Sequence, residues 1–230
     1  CWHMLDPTGK SFYLQDLPDK KIATRLLPGG SQHEWFLSQL NNIALFFQQL
    51  KGPHGESVPI LFRPYHEMDG GWFWWGKNCL TPDQFAELWQ FTFNYLVYNK
   101  KIRNILFVYS PSDRIRTVDG ENGYLEFYPG DEYVDVLAHD NYWFLKKPED
   151  STMFLHQVRI TTKLADEKNK IAALSETGLH NITISDWFTS ILLHPLKNDS
   201  LAFRLSYIAI WNRSFVPYPG HASVPDFLKF

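Results

Sequence analysis

The sequence is poor in cysteine, lacks a basic excess and contains no long apolar run, and each absence excludes a class of protein. Two cysteines, Cys1 and Cys79, among 230 residues provide neither a disulfide framework nor the ligand spacing of a metal site. A formal net charge of −3 without a basic run gives no electrostatic attraction for nucleic acid or an anionic membrane surface. No apolar run approaches the roughly 20 residues that a membrane-spanning helix needs.

Motifs for common cofactors are absent as well. No GxGxxG or GKS/GKT pattern follows an apolar segment, which argues against a site that cradles phosphate groups. The nine histidines form no HExxH or carboxylate-rich metal pattern. We therefore expect no cofactor and no metal.

The composition is that of one large globular domain, because 44% of the residues are hydrophobic and suffice for a sizeable core. Aromatic residues make up 17%, including nine tryptophans, more than core filling alone explains. The chain opens at CWHM without an initiator methionine, which indicates a truncated start, so the missing signal peptide does not bear on localisation. We expect residues 1–230 to form a single domain that works as a monomer.

Helical and extended segments alternate along the chain. Helical spacing predicts a helix over residues 32–51, and Thr81 with Pro82 and Gln84 forms a capping box that starts another helix, to about residue 99. Further helices are predicted at 151–168 and 186–193. Apolar strands are predicted to end near six residues: His3, Glu67, Ser110, Asp140, Glu176 and Trp211.

This alternation is typical of parallel βαβ units, and therefore of an α/β fold with either an open doubly wound sheet or a barrel. A barrel needs eight strands. Six strands in a chain that opens inside a strand fit a (β/α)8 barrel whose first two units lie upstream of residue 1.

The stretch 59–76, PILFRPYHEMDGGWFWWG, is unlike an ordinary core strand, because its apolar start breaks into charged residues and then tryptophans. Glu67 is expected where a strand has just ended, the position that carries the chemistry in barrels. The aromatic faces that follow suit a sugar ring, whose C–H faces stack on aromatics while its hydroxyls need polar partners. Core packing and a sugar cleft both remain possible for the aromatics.

Glu67 and Glu176 are the two glutamates that directly follow apolar strands. Cleavage of a glycosidic bond needs two carboxyl groups, one protonated to donate to the leaving oxygen and one ionised. A glutamate at a strand end can equally be a carboxylate that stabilises the next helix N-terminus. Position alone leaves the catalytic and structural interpretations about even.

Several motifs together resemble glycoside hydrolase family 26, best known for β-mannanases: RPYHE with GGWFWWG, YSP at 109–111, SETG at 175–178 and PYPG at 217–220. The resemblance begins at CWHMLDP and covers nearly the whole chain. It implies a TIM barrel, with residue 1 at the end of the third strand. The implied activity is that of a retaining endo-mannanase acting on mannan, glucomannan or galactomannan. It also implies Glu67 as general acid/base, Glu176 as nucleophile, and a secreted, periplasmic or cell-surface location.

The same resemblance implies substrate-binding roles for five further residues: His3, His66, Trp72, Tyr142 and Trp211. Tyr142 corresponds to a tyrosine that hydrogen-bonds the nucleophile, and Trp211 to the floor of the cleavage subsite. Arg63 is expected to support a neighbouring carboxylate, since an opposite charge nearby lowers a carboxyl pKa. A structural histidine is the alternative for His66, and a structural ion pair for Arg63.

The sequence leaves open the roles of two tryptophans and of Arg213, and also the exact substrate. For Trp74 and Trp75, packing is the better interpretation. The order Trp211, Asn212, Arg213 departs from the family's W-R-N, so strand alternation would turn Arg213 away from a sugar. The family also includes mixed-linkage β-glucanases and β-1,3-xylanases, and a non-catalytic glycan-binding barrel is the alternative from another class.

Overall fold

The structure, a computed structural model, describes residues 1–113 and 120–229, over which parallel strands alternate with helices. The α-helices and β-strands, in chain order, are α1 (His33–Gln49), β1 (Ile60–Phe62), α2 (Pro82–Asn94), β2 (Ile105–Tyr109), α3 (Gly120–Leu125), β3 (Val136–Asn141), α4 (Ser151–Glu167), β4 (Ile171–Thr177), α5 (His194–Lys197), β5 (Tyr207–Ile210) and α6 (Val224–Phe227). π-Helical segments lie at Tyr95–Asn99 and Trp187–Leu193. Short 3-10 turns lie at Leu14–Asp16, Ala23–Arg25, Asp131–Tyr133, Trp143–Leu145, Pro148–Asp150, His180–Ile182, Ala202–Arg204 and Arg213–Phe215.

The α/β class predicted from the sequence is confirmed, because each described strand pair is parallel. The chain divides into two compact units. The first unit comprises Cys1–Tyr109 with Leu125–Asp135, and the second comprises Ser110–Tyr124 with Val136–Phe230. Among the described residues, no helix combines the length and the apolar character that crossing a bilayer requires.

In the first unit, β1 pairs in parallel with β2, and a single parallel bridge joins Trp2 to Pro64. The strand end predicted near His3 is therefore one bridge rather than a strand. α1 and α2 bury apolar faces at helical spacing, as the periodicity predicted. The buried side chains are Phe36, Leu40, Ala44 and Phe47 on α1, and Phe85, Leu88, Trp89 and Thr92 on α2.

The capping box predicted at the start of α2 is confirmed. The Gln84 backbone N–H donates to the Thr81 hydroxyl at 3.3 Å, and the Thr81 N–H donates to the Gln84 side chain at 3.0 Å. The helix does not continue as an α-helix to residue 99, however, since a π-turn begins at Tyr95. A sequence period near 3.6 does not distinguish the two helix types, so the sequence could not show this change.

In the second unit, β3, β4 and β5 pair in parallel in chain order, and α4 packs on β3 and β4. The register between β3 and β4 shifts after His139: His139 pairs with Leu174, whereas Asp140 pairs with Glu176. Ser175 is thus an extra residue on β4, a β-bulge. Such a bulge re-aims the side chains that follow it.

Four elements differ from the sequence-based expectations. Asp140 and Glu176 lie inside their strands rather than after them, because β3 and β4 extend to residues 141 and 177. The helix predicted at 186–193 is the π-segment Trp187–Leu193. Pro195 follows it and has no N–H to donate to the carbonyl four residues earlier, which interrupts the α-helical ladder. The polar loop predicted at 112–123 lies partly outside the described residues, and its last part begins α3.

A fully buried histidine lies on β3. His139 Nδ1 is 2.9 Å from the Thr161 hydroxyl of α4, and within the described residues its Nε2 has no hydrogen-bond partner. Burial lowers the pKa of His139 to about 3, from an ordinary value of 6.5. The folded protein therefore holds this imidazole neutral throughout the mildly acidic range.

His139 is expected to make the fold sensitive to acid. Because its folded pKa is depressed, the unfolded chain binds the extra proton between about pH 6.5 and pH 3, and stability falls as pH decreases through that window. The contribution is at most about 1.4 kcal/mol per pH unit. Denaturant unfolding at a series of pH values should show a shallower acid loss for His139→Leu than for the unsubstituted protein. Removing the exposed His54 as His54→Asn should leave the slope unchanged, and equal slopes for all three proteins would contradict the assignment.

Candidate active site

Glu67 lies in the turn that follows β1, in an unusual backbone conformation. Its φ is +52°, and Tyr65 two residues earlier has a φ of +51°. Residues with a side chain seldom adopt this left-handed region, which is strained and is found preferentially at functional sites. The Glu67 carbonyl accepts a hydrogen bond from the Gly70 N–H at 3.0 Å, which closes the turn.

The indole of Trp72 holds the Glu67 side chain. Trp72 Nε1 donates to Glu67 Oε2 at 2.8 Å. The ring lies so close to Gly70 that a Cβ there would come within 2.2 Å of the indole carbons. Glycine at position 70 is therefore required for this placement. The resemblance implied only substrate binding for Trp72, and the hydrogen bond to Glu67 adds a positioning contact.

His66 is buried directly beside Glu67. Its carbonyl accepts a hydrogen bond from Trp75 Nε1 at 2.9 Å. Burial lowers the pKa of His66 well below its usual range, and the charges of Arg63 and His3 lower it further. The imidazole is therefore neutral near pH 7. Arg63 itself is buried, and its backbone carbonyl accepts from the Trp2 N–H at 3.1 Å.

His3 and Cys1 contact this histidine from the start of the chain. The rings of His3 and His66 meet edge to face, with centroids 4.5 Å apart. The thiol of Cys1 lies 3.1 Å from His3 Nδ1 and 3.8 Å from His66 Nδ1. The first unit thus brings together five of the predicted site residues: His3, Arg63, His66, Glu67 and Trp72.

Trp74 and Trp75 pack in the core, as expected. Both indoles are fully buried, and Trp74 Nε1 donates to the Met4 carbonyl at 3.0 Å. Phe73 stacks on Trp75 with ring centroids 4.6 Å apart. Most of the aromatic run therefore builds the support behind His66 rather than an open platform.

Glu176 lies in the second unit, directly after the bulge residue of β4. Its side chain is 6% exposed, and Oε1 accepts a hydrogen bond from the Tyr142 hydroxyl at 2.8 Å. The predicted contact between the tyrosine and the candidate nucleophile is present. A phenol donor of this kind orients a carboxylate and stabilises its charge.

Asp113 positions Tyr142. One oxygen of its carboxylate accepts from the backbone N–H groups of both Tyr142 and Trp143, at 3.1 and 2.8 Å. The Asp113 carbonyl in turn accepts from the Gln157 side chain of α4 at 2.8 Å. The Tyr142 backbone is thus held by Asp113, and Gln157 connects Asp113 to α4.

A buried polar cluster fixes the bulge beside Glu176. The hydroxyls of Ser110 and Ser175 both donate to Asp140 Oδ1, at 2.8 and 2.7 Å. The two hydroxyl oxygens lie 2.7 Å apart. Because Ser175 immediately precedes Glu176, this cluster ties the backbone of the candidate nucleophile to the neighbouring strand ends.

Trp211 directly follows β5 and forms an aromatic corner with Tyr142 and Phe215. Ring centroids are 6.3 Å apart for Trp211 and Tyr142 and 5.3 Å apart for Trp211 and Phe215. Trp211 is 48% exposed, so one side of the indole remains accessible. A Cβ on Gly178 would come within 2.5 Å of the Phe215 ring, and its φ is +150°, so this corner also requires a glycine.

The strand-alternation argument for Arg213 does not apply. β5 ends at Ile210, and Arg213 is an exposed residue of a 3-10 turn that Asn212 caps by accepting from the Ser214 N–H at 2.8 Å. The side chain therefore follows the turn and not the pleat. The second unit brings together the remaining predicted residues: Tyr142, Glu176 and Trp211.

Comparison with known proteins finds a family model that matches most of the chain. The model of Glycosyl hydrolase family 26 matches residues 12–192. The chain belongs to glycosyl hydrolase family 26.

Proteins similar to this chain include named enzymes and solved structures. A mannan endo-1,4-beta-mannosidase of Bifidobacterium adolescentis is 36% identical over 182 residues, covering 76% of this chain and 18% of the relative. One of Bacillus subtilis is 36% identical over 149 residues, covering 61% of this chain and 39% of the relative. Among solved structures, GH26C from a Muricauda species has a TM-score of 0.93 at 34% identity, covering 100% of this chain and 64% of that one.

A GH26 beta-mannanase from Bacteroides ovatus has a TM-score of 0.90 at 34% identity, covering 100% of this chain and 66% of that one. The chain thus spans less than half of the length of the two named enzymes and slightly under two thirds of these two solved structures.

Sequence inspection missed Asp113, Ser175 and the bulge. Asp113 acts through backbone groups about thirty residues away, and no local pattern marks such a partner. Ser175 stands beside Glu176 in the SETG motif, which is the one signal that could have indicated it. Asp113 lies outside the motifs that carry the resemblance, whereas Ser175 lies inside one of them.

Proposed function

We propose that this chain carries the catalytic residues of a retaining, endo-acting hydrolase of β-1,4-mannosidic bonds. The observation that supports it most is that each candidate carboxylate is held by one aromatic donor. Trp72 Nε1 donates to Glu67, and the Tyr142 hydroxyl donates to Glu176. Carboxyl groups that are each oriented in this way suit double displacement.

In this mechanism, the Glu176 carboxylate attacks the anomeric carbon while the Glu67 carboxyl gives its proton to the glycosidic oxygen. The bond to the leaving sugar breaks, and a glycosyl ester forms on Glu176. Glu67, now ionised, then takes a proton from water, and the water oxygen displaces Glu176 from the anomeric carbon. Both carboxyl groups return to their starting states, and the configuration is retained.

The proposed substrate is mannan, glucomannan or galactomannan, because the curated relatives above are named mannan endo-1,4-beta-mannosidases. Release of reducing ends from galactomannan, mixed-linkage β-glucan and β-1,3-xylan at equal mass concentration tests the choice. We expect galactomannan to be cleaved fastest, with an early loss of viscosity that reflects internal cleavage. Faster cleavage of either other polymer would favour the alternative specificities, and binding without cleavage would favour a glycan-binding barrel.

Proton NMR of the first product formed tests the stereochemical part. Retention predicts that the β-anomer appears first and mutarotates afterwards. An initial α-anomer would contradict the role of Glu176 as a nucleophile. The assay needs only a mannooligosaccharide that the protein cleaves once.

Tyr142→Phe is expected to lower kcat by about 10- to 100-fold, because a hydrogen bond to a charged group contributes roughly 1.5–3 kcal/mol. KM should change little, since the phenol acts on the nucleophile. Tyr218→Phe makes the same change at an exposed tyrosine and is expected to leave kcat unchanged. Steady-state kinetics on galactomannan measures both, and an unchanged kcat in Tyr142→Phe would refute the positioning role.

The remaining proposals concern the sugar-binding residues, the fold, the oligomeric state and the location of the protein. His3, His66, Trp72 and Trp211 are proposed to bind the sugar, and Arg63 to support the site. A (β/α)8 barrel lacking its first two units and a single catalytic domain over residues 1–230 stay predictions. We also propose that the protein is a monomer, which sedimentation tests. We propose that it acts outside the cytoplasm, because an intact polysaccharide does not enter cells. Comparison of the activity in culture medium and in lysate tests this location.

A further inference from the structure

We propose that Cys1, His3 and His66 form a binding site for a thiophilic divalent cation such as Zn²⁺. We further propose that the bound ion inhibits the protein by occupying the sugar site. All three residues belong to the first unit, and their donor atoms lie within 4.8 Å of one another. The ion is an inhibitor here and not a cofactor, because the proposed reaction needs only carboxyl groups.

The donor spacing suits a tetrahedral ion. With metal–sulfur and metal–nitrogen bonds of about 2.3 and 2.1 Å, a tetrahedral site separates sulfur from nitrogen by about 3.5 Å. Cys1 Sγ lies 3.1 Å from His3 Nδ1, 3.8 Å from His66 Nδ1 and 4.0 Å from His66 Nε2. Side-chain shifts of a few tenths of an ångström would equalise these separations.

The chemistry of the donors selects the ion. One thiolate and two imidazoles favour zinc, cobalt or copper over the hard cations magnesium and calcium, which prefer oxygen ligands. Three protein ligands leave a fourth position for water or chloride. Cys1 is exposed, His3 is partly exposed and His66 is buried, so an ion approaching from solvent meets the thiol first.

The support behind His66 is already rigid. Its carbonyl is held by Trp75 Nε1, and its ring packs against Phe73 with centroids 5.0 Å apart. A side chain that is already held in place loses less conformational entropy when it binds a metal ion. The site is therefore partly organised before any ion arrives.

Cobalt spectroscopy tests the site independently of catalysis. Titration of the protein with Co²⁺ should produce a sulfur-to-cobalt charge-transfer band in the near ultraviolet together with visible bands of tetrahedral intensity. Cys1→Ser should abolish the charge-transfer band, and His3→Ala should weaken the visible bands. Cys79→Ser is the matched control, because Cys79 is the only other cysteine and burial raises the pKa of its thiol to about 11. No band in the unsubstituted protein, or the same band in Cys1→Ser, would overturn the proposal.

Zinc inhibition tests the functional consequence, which rests on the proposed function. Micromolar Zn²⁺ should inhibit galactomannan hydrolysis, and a chelator should restore it. Cys1→Ser should retain basal activity and need at least about tenfold more Zn²⁺ for half inhibition, because one ligand is lost. Cys79→Ser should be inhibited like the unsubstituted protein. A cobalt band without zinc inhibition would overturn the inhibitory role alone, and a protein inactive on every polysaccharide would overturn the proposed function while the spectra still decide the site.

Discussion

Glu176→Ala is expected to reduce kcat on galactomannan by about four orders of magnitude or more, because the attacking carboxylate is removed. The fold should persist, since the neighbouring bulge is held by Ser175 and Asp140 rather than by the glutamate side chain. Sodium azide should restore turnover by entering the space left by the carboxylate. The azide would attack from the same face as Glu176, so the expected product is the α-glycosyl azide.

The control for this substitution is Glu149→Ala, which removes an exposed glutamate in the same unit and should leave kcat unchanged. Circular dichroism and a thermal melt establish that each variant is folded. A folded Glu176→Ala protein that hydrolyses galactomannan at the original rate would exclude Glu176 as the nucleophile.

Glu67→Ala is expected to reduce kcat on galactomannan by about three orders of magnitude, because general acid and base catalysis are lost in both steps. Aryl glycosides with a good leaving group should be affected far less in the first step, since their leaving oxygen needs no proton. A burst of the phenol followed by a slow phase should then appear. Azide should accelerate the slow phase and yield the β-glycosyl azide, the opposite anomer from the Glu176 variant.

Glu87→Ala is the matched control here, because it removes an exposed glutamate from α2 in the same unit as Glu67. Its kinetics should match those of the unsubstituted protein on both substrate types. If Glu67→Ala lost the same factor on activated and natural substrates, an acid/base role would be excluded and a structural role for the Trp72 contact would remain.

The two azide products together assign the carboxylates more firmly than loss of activity does. A substitution that only disturbs the fold would lower the rates of hydrolysis and of azide transfer. It would not change the anomer of the azide product. Opposite anomers from the two variants require that each carboxylate acts at a different step. Identical anomers would mean that the roles of Glu67 and Glu176 are not those proposed.

Much of the fold follows from local sequence patterns. The helix α1, the capping box at Thr81 and the strand that ends near Ser110 were predicted because helical periodicity, turn chemistry and short apolar runs depend on neighbouring residues. The π-segments were not predicted, since their hydrogen bonds differ from α-helical ones by one residue while the side-chain pattern barely changes.

The same distinction between local sequence patterns and contacts of distant segments applies to the candidate site. Sequence alone predicted Glu67, Glu176, Trp72 and Tyr142 as site residues, through motifs of consecutive residues and their resemblance to family 26. Only the tertiary structure decided that Trp72 hydrogen-bonds Glu67, that Ser175 forms a bulge under Glu176, and that Cys1 meets His66 across more than sixty residues. Contacts of that kind depend on strand register and on packing between distant segments, and no local pattern encodes them.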